Sequence, residues 1–225
     1  MCNEFSGSTI CLGRQSGSAK TLTELLSGND LCLLRGDRCL FQRLNFALNC
    51  GELLFVEGVN GSGKTSLLRG IAGLLDFESG YITWDGQKIL DAYQGFRSDL
   101  VWLSHRVGFK GELNLLENLQ FESALRSCSM EKTAAVIERL SLAPLTSLPF
   151  RYLSAGQQRR VALARMLLAN ARLWIMDEPF TYLDKAGQAL VAELISEHLA
   201  GGGLCVAASH QAVDIAAPTQ RVTLQ

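Results

Sequence analysis

The chain has 225 residues, 48% hydrophobic and 19% charged, enough apolar material to bury a large core and unlike a disordered or collagen-like polymer. Its 21 basic and 22 acidic residues leave a formal net charge of -1, which gives no electrostatic case for nucleic-acid binding. Seven scattered cysteines, Cys2, Cys11, Cys32, Cys39, Cys50, Cys128 and Cys205, form no CxxC pair and read as reduced thiols, and no apolar run reaches the ~20 residues that cross a bilayer.

Residues 1–30 are rich in Ser, Gly and Thr and lack both the apolar core of a signal peptide and the Arg-rich pattern of a transit peptide. They are expected to be a disordered extension, and a misassigned start codon explains them equally well. One domain is expected over 31–225. The apolar runs Leu31–Leu34 and Cys39–Leu48 suit an antiparallel hairpin that Gly51 ends. Leu53–Glu57 is an apolar strand that runs into a glycine-rich turn and a helical pattern over Lys64–Leu74. Tyr81–Trp84 followed by Asp85-Gly86 predicts a hairpin strand, and Leu100–Leu103 a buried one. Helical spacing, as in Leu116, Leu119 and Leu125, fills Leu113–Pro149 and marks a helical subdomain over about 106–165 inserted into the core. A helix over Ala155–Asn170, a strand over Leu173–Met176, a helix over Ala186–Leu199 and a strand over Leu204–Ala208 then alternate. That alternation predicts an α/β fold, a parallel sheet with helices around it. His198, inside the last helix, is expected to be solvated.

Gly58-Val59-Asn60-Gly61-Ser62-Gly63-Lys64-Thr65, followed by Ser66, fits G-x-x-x-x-G-K-[ST] between a strand and a helix. In such a loop, glycines let main-chain N–H groups form a nest for phosphates at the positive end of a helix dipole. Lys64 adds a point charge between the β- and γ-phosphates of ATP, and Thr65 offers a hydroxyl to Mg²⁺. Leu173–Glu178 is an apolar strand ending in two carboxylates. Asp177 is the expected holder of Mg²⁺, and Glu178 the residue that orients or deprotonates the attacking water.

Leu153-Ser154-Ala155-Gly156-Gln157 opens a basic helix and resembles the signature motif of the ABC ATPases. The resemblance covers nearly the whole chain from Leu31 onward. It implies a P-loop NTPase core with a parallel sheet, an N-terminal antiparallel β subdomain and an inserted helical signature subdomain. It further implies a head-to-tail homodimer, in which Ser154, Gly156 and Gln157 of one protomer close over ATP bound by the other. Ser154 reads equally as an N-cap. By the same resemblance His210, after Leu204–Ala208, takes the place of the switch histidine on the γ-phosphate, and Asp184 that of the loop that reaches across the dimer. Glu178, His210 and Lys64 are the expected catalytic residues.

Two positions depart from the family pattern. The glutamine expected twelve residues ahead of Glu117-Asn118 is His105, and the adenine-stacking aromatic falls near Arg35. With Trp102-Leu103-Ser104-His105, Gly108-Phe109-Lys110, Glu117-Asn118-Leu119, and the stretches Leu153–Arg165 and Leu173–Thr181, the sequence resembles the ATPases of bacterial cytochrome c maturation. That resemblance implies a peripheral protein on the cytoplasmic face of the inner membrane, bound to CcmB-like and CcmC-like membrane subunits. Its hydrolysis would power haem export or release of a haem-loaded chaperone. With three His and no C-x-x-C-H, direct haem binding is not expected. The alternatives are the ATPase of another ABC transporter and a soluble ABC-type nucleotide-switched module.

Overall fold

The structure, a computed structural model, describes residues 24–105, 108–126, 131–210 and 214–225. Strands β1 (Leu26–Arg35) and β2 (Arg38–Leu48) form the antiparallel hairpin. The first strand begins at Leu26, ahead of the boundary expected at residue 31, while 1–23 lie outside the described residues. Composition hides this start, because Ser27, Gly28, Asn29 and Asp30 read as loop residues. In the fold Leu25 and Leu26 are buried, and Ser27 Oγ lies 2.6 Å from Thr83 Oγ1 on a neighbouring strand. Asp30 sits at a register shift with φ 47°, its N–H donating to Asn45 Oδ1 at 2.8 Å.

Strand β3 (Leu53–Gly58) leads through the glycine loop into α1 (Lys64–Ile71). Strands β4 (Ser79–Trp84) and β5 (Gln87–Lys88) turn on Asp85-Gly86, both at positive φ as a tight hairpin requires. Next come α2 (Tyr93–Asp99) and β6 (Leu100–Leu103). Helices α3 (Leu115–Arg126), α4 (Thr133–Arg139) and α5 (Ala155–Leu168) follow, with no strand between β6 and the next one among the described residues. The chain closes with β7 (Leu173–Asp177), α6 (Lys185–Ala200), β8 (Leu204–Ala208) and β9 (Thr219–Leu224). Sequence pattern conceals α2, which buries only Phe96, and β9, whose buried Val222 and Leu224 are spaced among polar residues.

Two sheets result, an antiparallel one ordered β2-β1-β4-β5 and a parallel one ordered β6-β7-β8-β3-β9. Strands β6, β7, β8 and β3 are buried on both faces, while the edge strand β9 buries only Val222 and Leu224. Phe55, Leu103, Met176 and Ala207 face the apolar cluster built with α5 and α6, while Leu54, Val56, Ile175 and Val206 face the one shared with α1 and the antiparallel sheet. This two-sided burial is what holds the strand ends, and hence the site, in fixed register.

His198 is packed rather than solvated, a correction to the sequence expectation. Its ring stacks on Trp174 with centroids 4.1 Å apart, and Nε2–H donates to Leu204 O at 3.1 Å. It lies on the face of α6 that meets the sheet, and burial lowers its pKa.

Candidate functional site

Strands β3, β6, β7 and β8 end on one edge of the parallel sheet, where open α/β sheets place ligand sites. A cleft of about 450 Å³ lies there, and Asn60, Gly61, Gly63, Lys64, Thr65 and Ser66 form one wall of it. Ser104, His105, Asp177 and Glu178 form the opposite wall, with Arg35 and Leu40 at the end contributed by the antiparallel sheet.

The glycine loop follows from backbone sterics. Gly58 has φ 151°, and a Cβ there would fall 2.4 Å from Leu224 O. Gly63, at φ 103°, is the residue that starts α1 in a left-handed conformation. Ser62 is fully buried under the loop and Val59 is exposed outside it. Lys64 is 7% exposed; its Nζ donates to Gly58 O at 2.7 Å and Val59 O at 3.3 Å, and stands 4.0 Å from Glu178 Oε1. The ammonium thus bridges the loop and the end of β7.

Thr65 Oγ1–H donates to Asp177 Oδ2 at 2.9 Å. Asp177 is 4% exposed, and this burial raises its pKa; the Thr65 hydrogen bond opposes the rise and Glu178 adds to it. A carboxylate made costly in this way gains from a cation beside it. Two oxygen donors side by side match the preference of a hard ion such as Mg²⁺.

Glu178 has φ 50°, a strained conformation for a residue with a Cβ. Its N–H donates to Ala208 O at 2.8 Å, and its Oε2 accepts from His210 Nδ1–H at 2.9 Å. The structure therefore brings Lys64, Thr65, Asp177, Glu178 and His210 together from three elements and the loops beside them. His105 lies across the cleft, its ring 6.1 Å from the ring of Tyr182 in an edge-on arrangement.

Ser154, Gly156, Gln157 and Asp184 do not line this cleft. Ser154 Oγ accepts the Gln157 N–H at 3.3 Å and the Ser154 N–H donates to Gln157 Oε1 at 2.8 Å, a complete capping box at the start of α5. Asp184 caps α6, its Oδ1 accepting the Gly187 N–H at 2.8 Å. A Cβ on Gly156 would fall 2.9 Å from Tyr182 O, so this glycine lets the two loops approach.

Sequence reasoning missed Arg159. Read only as part of a basic helix, it is 3% exposed and bonds to four main-chain oxygens around the end of β7. Nothing local distinguishes it from Arg160, which is only partly buried.

A strand, glycine loop and helix that carry a lysine and a threonine against a carboxylate-tipped strand define a P-loop nucleotide hydrolase. The family model described as ABC transporter matches residues 41–181, and the chain belongs to that family, among its CcmA members. A cytochrome c biogenesis ATP-binding export protein CcmA from Nitrosococcus oceani is 46% identical over 81% of this chain and 84% of its own length. The CcmA of Albidiferax ferrireducens is 44% identical over 89% and 97%, and that of Methylococcus capsulatus 45% over 84% and 93%. Among solved structures, an ABC transporter ATP-binding protein from Pyrococcus furiosus superposes with a TM-score of 0.77 at 23% identity, covering 88% of this chain and 96% of that one. The ATP-binding subunit of another ABC transporter gives 0.74 at 24%, covering 82% and 79%. These last two likenesses establish the fold. Among the described residues no helix is long and apolar enough to cross a membrane.

Proposed function

We propose that this chain is the ATP-hydrolysing subunit of a cytochrome c biogenesis exporter. The observation that carries the reading is the pair of contacts at the end of β7: Thr65 against Asp177, and Glu178 between Lys64 and His210. The glycine nest and the α1 N-terminus receive the phosphates, and Lys64 exchanges its loop carbonyls for β- and γ-phosphate oxygens. Mg²⁺, held through Thr65 and Asp177, neutralises charge on the phosphates when bound. Glu178 accepts a proton from the attacking water or orients it, and His210, hinged on Glu178, turns to the γ-phosphate. Ser154, Gly156, Gln157 and Asp184 complete the site of a second copy of the chain, so hydrolysis accompanies closure of a homodimer.

The stroke passes to integral membrane subunits of the CcmB and CcmC kind, with this chain peripheral on the cytoplasmic face of the inner membrane. The energy serves haem export or release of a haem-loaded chaperone, a reading supported by the 44–46% identical relatives only as far as their names, cytochrome c biogenesis ATP-binding export proteins, go. Gentle extraction of the tagged chain from native membranes tests the reading. Co-purification of CcmB-like and CcmC-like proteins is expected. Recovery of a different permease, or a wholly soluble pool, would overturn the pathway.

A further inference from the structure

Arg159 stands in the second turn of α5, and its guanidinium joins two loops that meet the nucleotide cleft. Nη1–H donates to Ser104 O at 2.8 Å, Nη2–H to Asp177 O at 2.8 Å and to Glu178 O at 2.6 Å, and Nε–H to Pro179 O at 3.4 Å. Ser104 precedes His105, and the other three acceptors are the carbonyls of Asp177 at the end of β7 and of Glu178 and Pro179 just after it. Burial pulls the Arg159 pKa down to about 10, so the group still carries its charge at neutral pH. A buried cation is costly, and an apolar side chain would fill the same space without that cost. What an apolar residue cannot do is span two loops with a planar fork of donors.

The strained residue in this cluster is Glu178, at φ 50°. Its amide is held by Ala208 O and its carbonyl by Arg159, so the direction of its side chain is fixed from both sides. Arg159 lies on the same helix as Gly156, where an added Cβ would fall 2.9 Å from Tyr182 O. The helix that presents the signature residues is thereby pinned to the main chain that carries the chain's own hydrolytic carboxylate.

We propose that Arg159 is a positioning residue that fixes Glu178 and the turn at Ser104 to the signature helix, making the orientation of the hydrolytic carboxylate depend on where that helix sits. The inference rests on the ATPase reading and adds to it a residue that acts through Glu178 and the Ser104 turn and not on the nucleotide itself. Arg159→Lys keeps the charge but loses the fork, and Arg159→Met keeps bulk alone.

On the full chain, steady-state hydrolysis, equilibrium binding of a fluorescent ATP analogue and thermal melting are measured together. Both variants are expected to melt cooperatively and to bind nucleotide within about threefold of the unmodified chain, while kcat falls about tenfold to a hundredfold with KM nearly unchanged. A kcat within about threefold of the parent in either folded variant overturns the proposal. Loss of binding in step with kcat, or failure of both variants to fold, also overturns it, by making Arg159 a structural brace. An unmodified chain that binds no ATP defeats the ATPase reading itself, and this inference with it, before any variant is made.

Discussion

The nucleotide cleft and the signature loop sit in one chain, yet their polar groups are satisfied in different ways. In the cleft, functional side chains meet one another across the fold: Thr65 with Asp177 over a separation of 112 residues, and His210 with Glu178 over 32. In the signature loop, the side chains of Ser154 and Gln157 bond, among the described residues, within the first turn of their own helix, three residues apart, and Asp184 caps the turn it starts. Ser154, Asp184 and Tyr182 are exposed. The polar groups of the cleft are paired within the chain, whereas those of the signature loop are capped locally and left exposed. The proposed head-to-tail dimer would set the exposed half of one copy against the cleft of the other.

Substitutions in the two regions separate them. The largest effect expected is at Glu178: Glu178→Gln should lower kcat by about 10²–10⁴-fold with nucleotide binding intact, as single-turnover and binding measurements would show. Lys64→Ala should weaken equilibrium ATP binding by roughly 10–100-fold, the value of a charge-assisted bond to phosphate, and unchanged affinity would remove Lys64 from the site. Ser154→Ala sharpens the contrast, because loss of the cap costs about 1 kcal/mol, a shift of roughly 2–4 °C in Tm. Hydrolysis should fall well beyond what so small a destabilisation explains. A variant that loses the cap energy and keeps full turnover would reduce the signature loop to a helix start.

The smallest effect lies outside both regions. Burial lowers the His198 pKa in the folded chain, so the unfolded chain binds that proton more readily. Stability contributed by the neutral ring is complete above the unfolded value of about 6.5 and is lost as pH falls below it. Asp177 shifts in the opposite sense, its raised pKa making the fold relatively more stable in acid. The two are separated with His198→Phe, which keeps a ring on Trp174 and leaves Asp177 alone. Melting between about pH 7.5 and 5.5 should fall less in the variant than in the parent, and equal slopes would show that His198 does not titrate with folding.

The parts legible in the sequence were those whose cause is local. Apolar runs such as Leu100–Leu103 and Leu204–Ala208 coincide with β6 and β8 because strands buried on both faces carry no polar interruption. The glycine loop was legible because its backbone conformation restricts which residues fit. What stayed hidden depends on partners far along the chain. The start of β1 can be polar because Thr83 meets the Ser27 hydroxyl and Asn45 accepts the Asp30 N–H at the register shift. His198 looks like any helix histidine until Trp174 lies under it. Arg159 differs from Arg160 only in which face of α5 meets the end of β7. The change from the family's glutamine to His105 was visible in sequence, and the structure places that residue on the cleft wall beside Ser104.

The most direct test of the division into two half-sites is the mass of Glu178→Gln in solution, measured by light scattering with and without saturating ATP and Mg²⁺. A monomer that doubles its mass on adding ATP, and fails to do so when Ser154→Ala is added, is the expected result. A nucleotide-loaded chain that stays monomeric, or a dimer indifferent to Ser154, would contradict it.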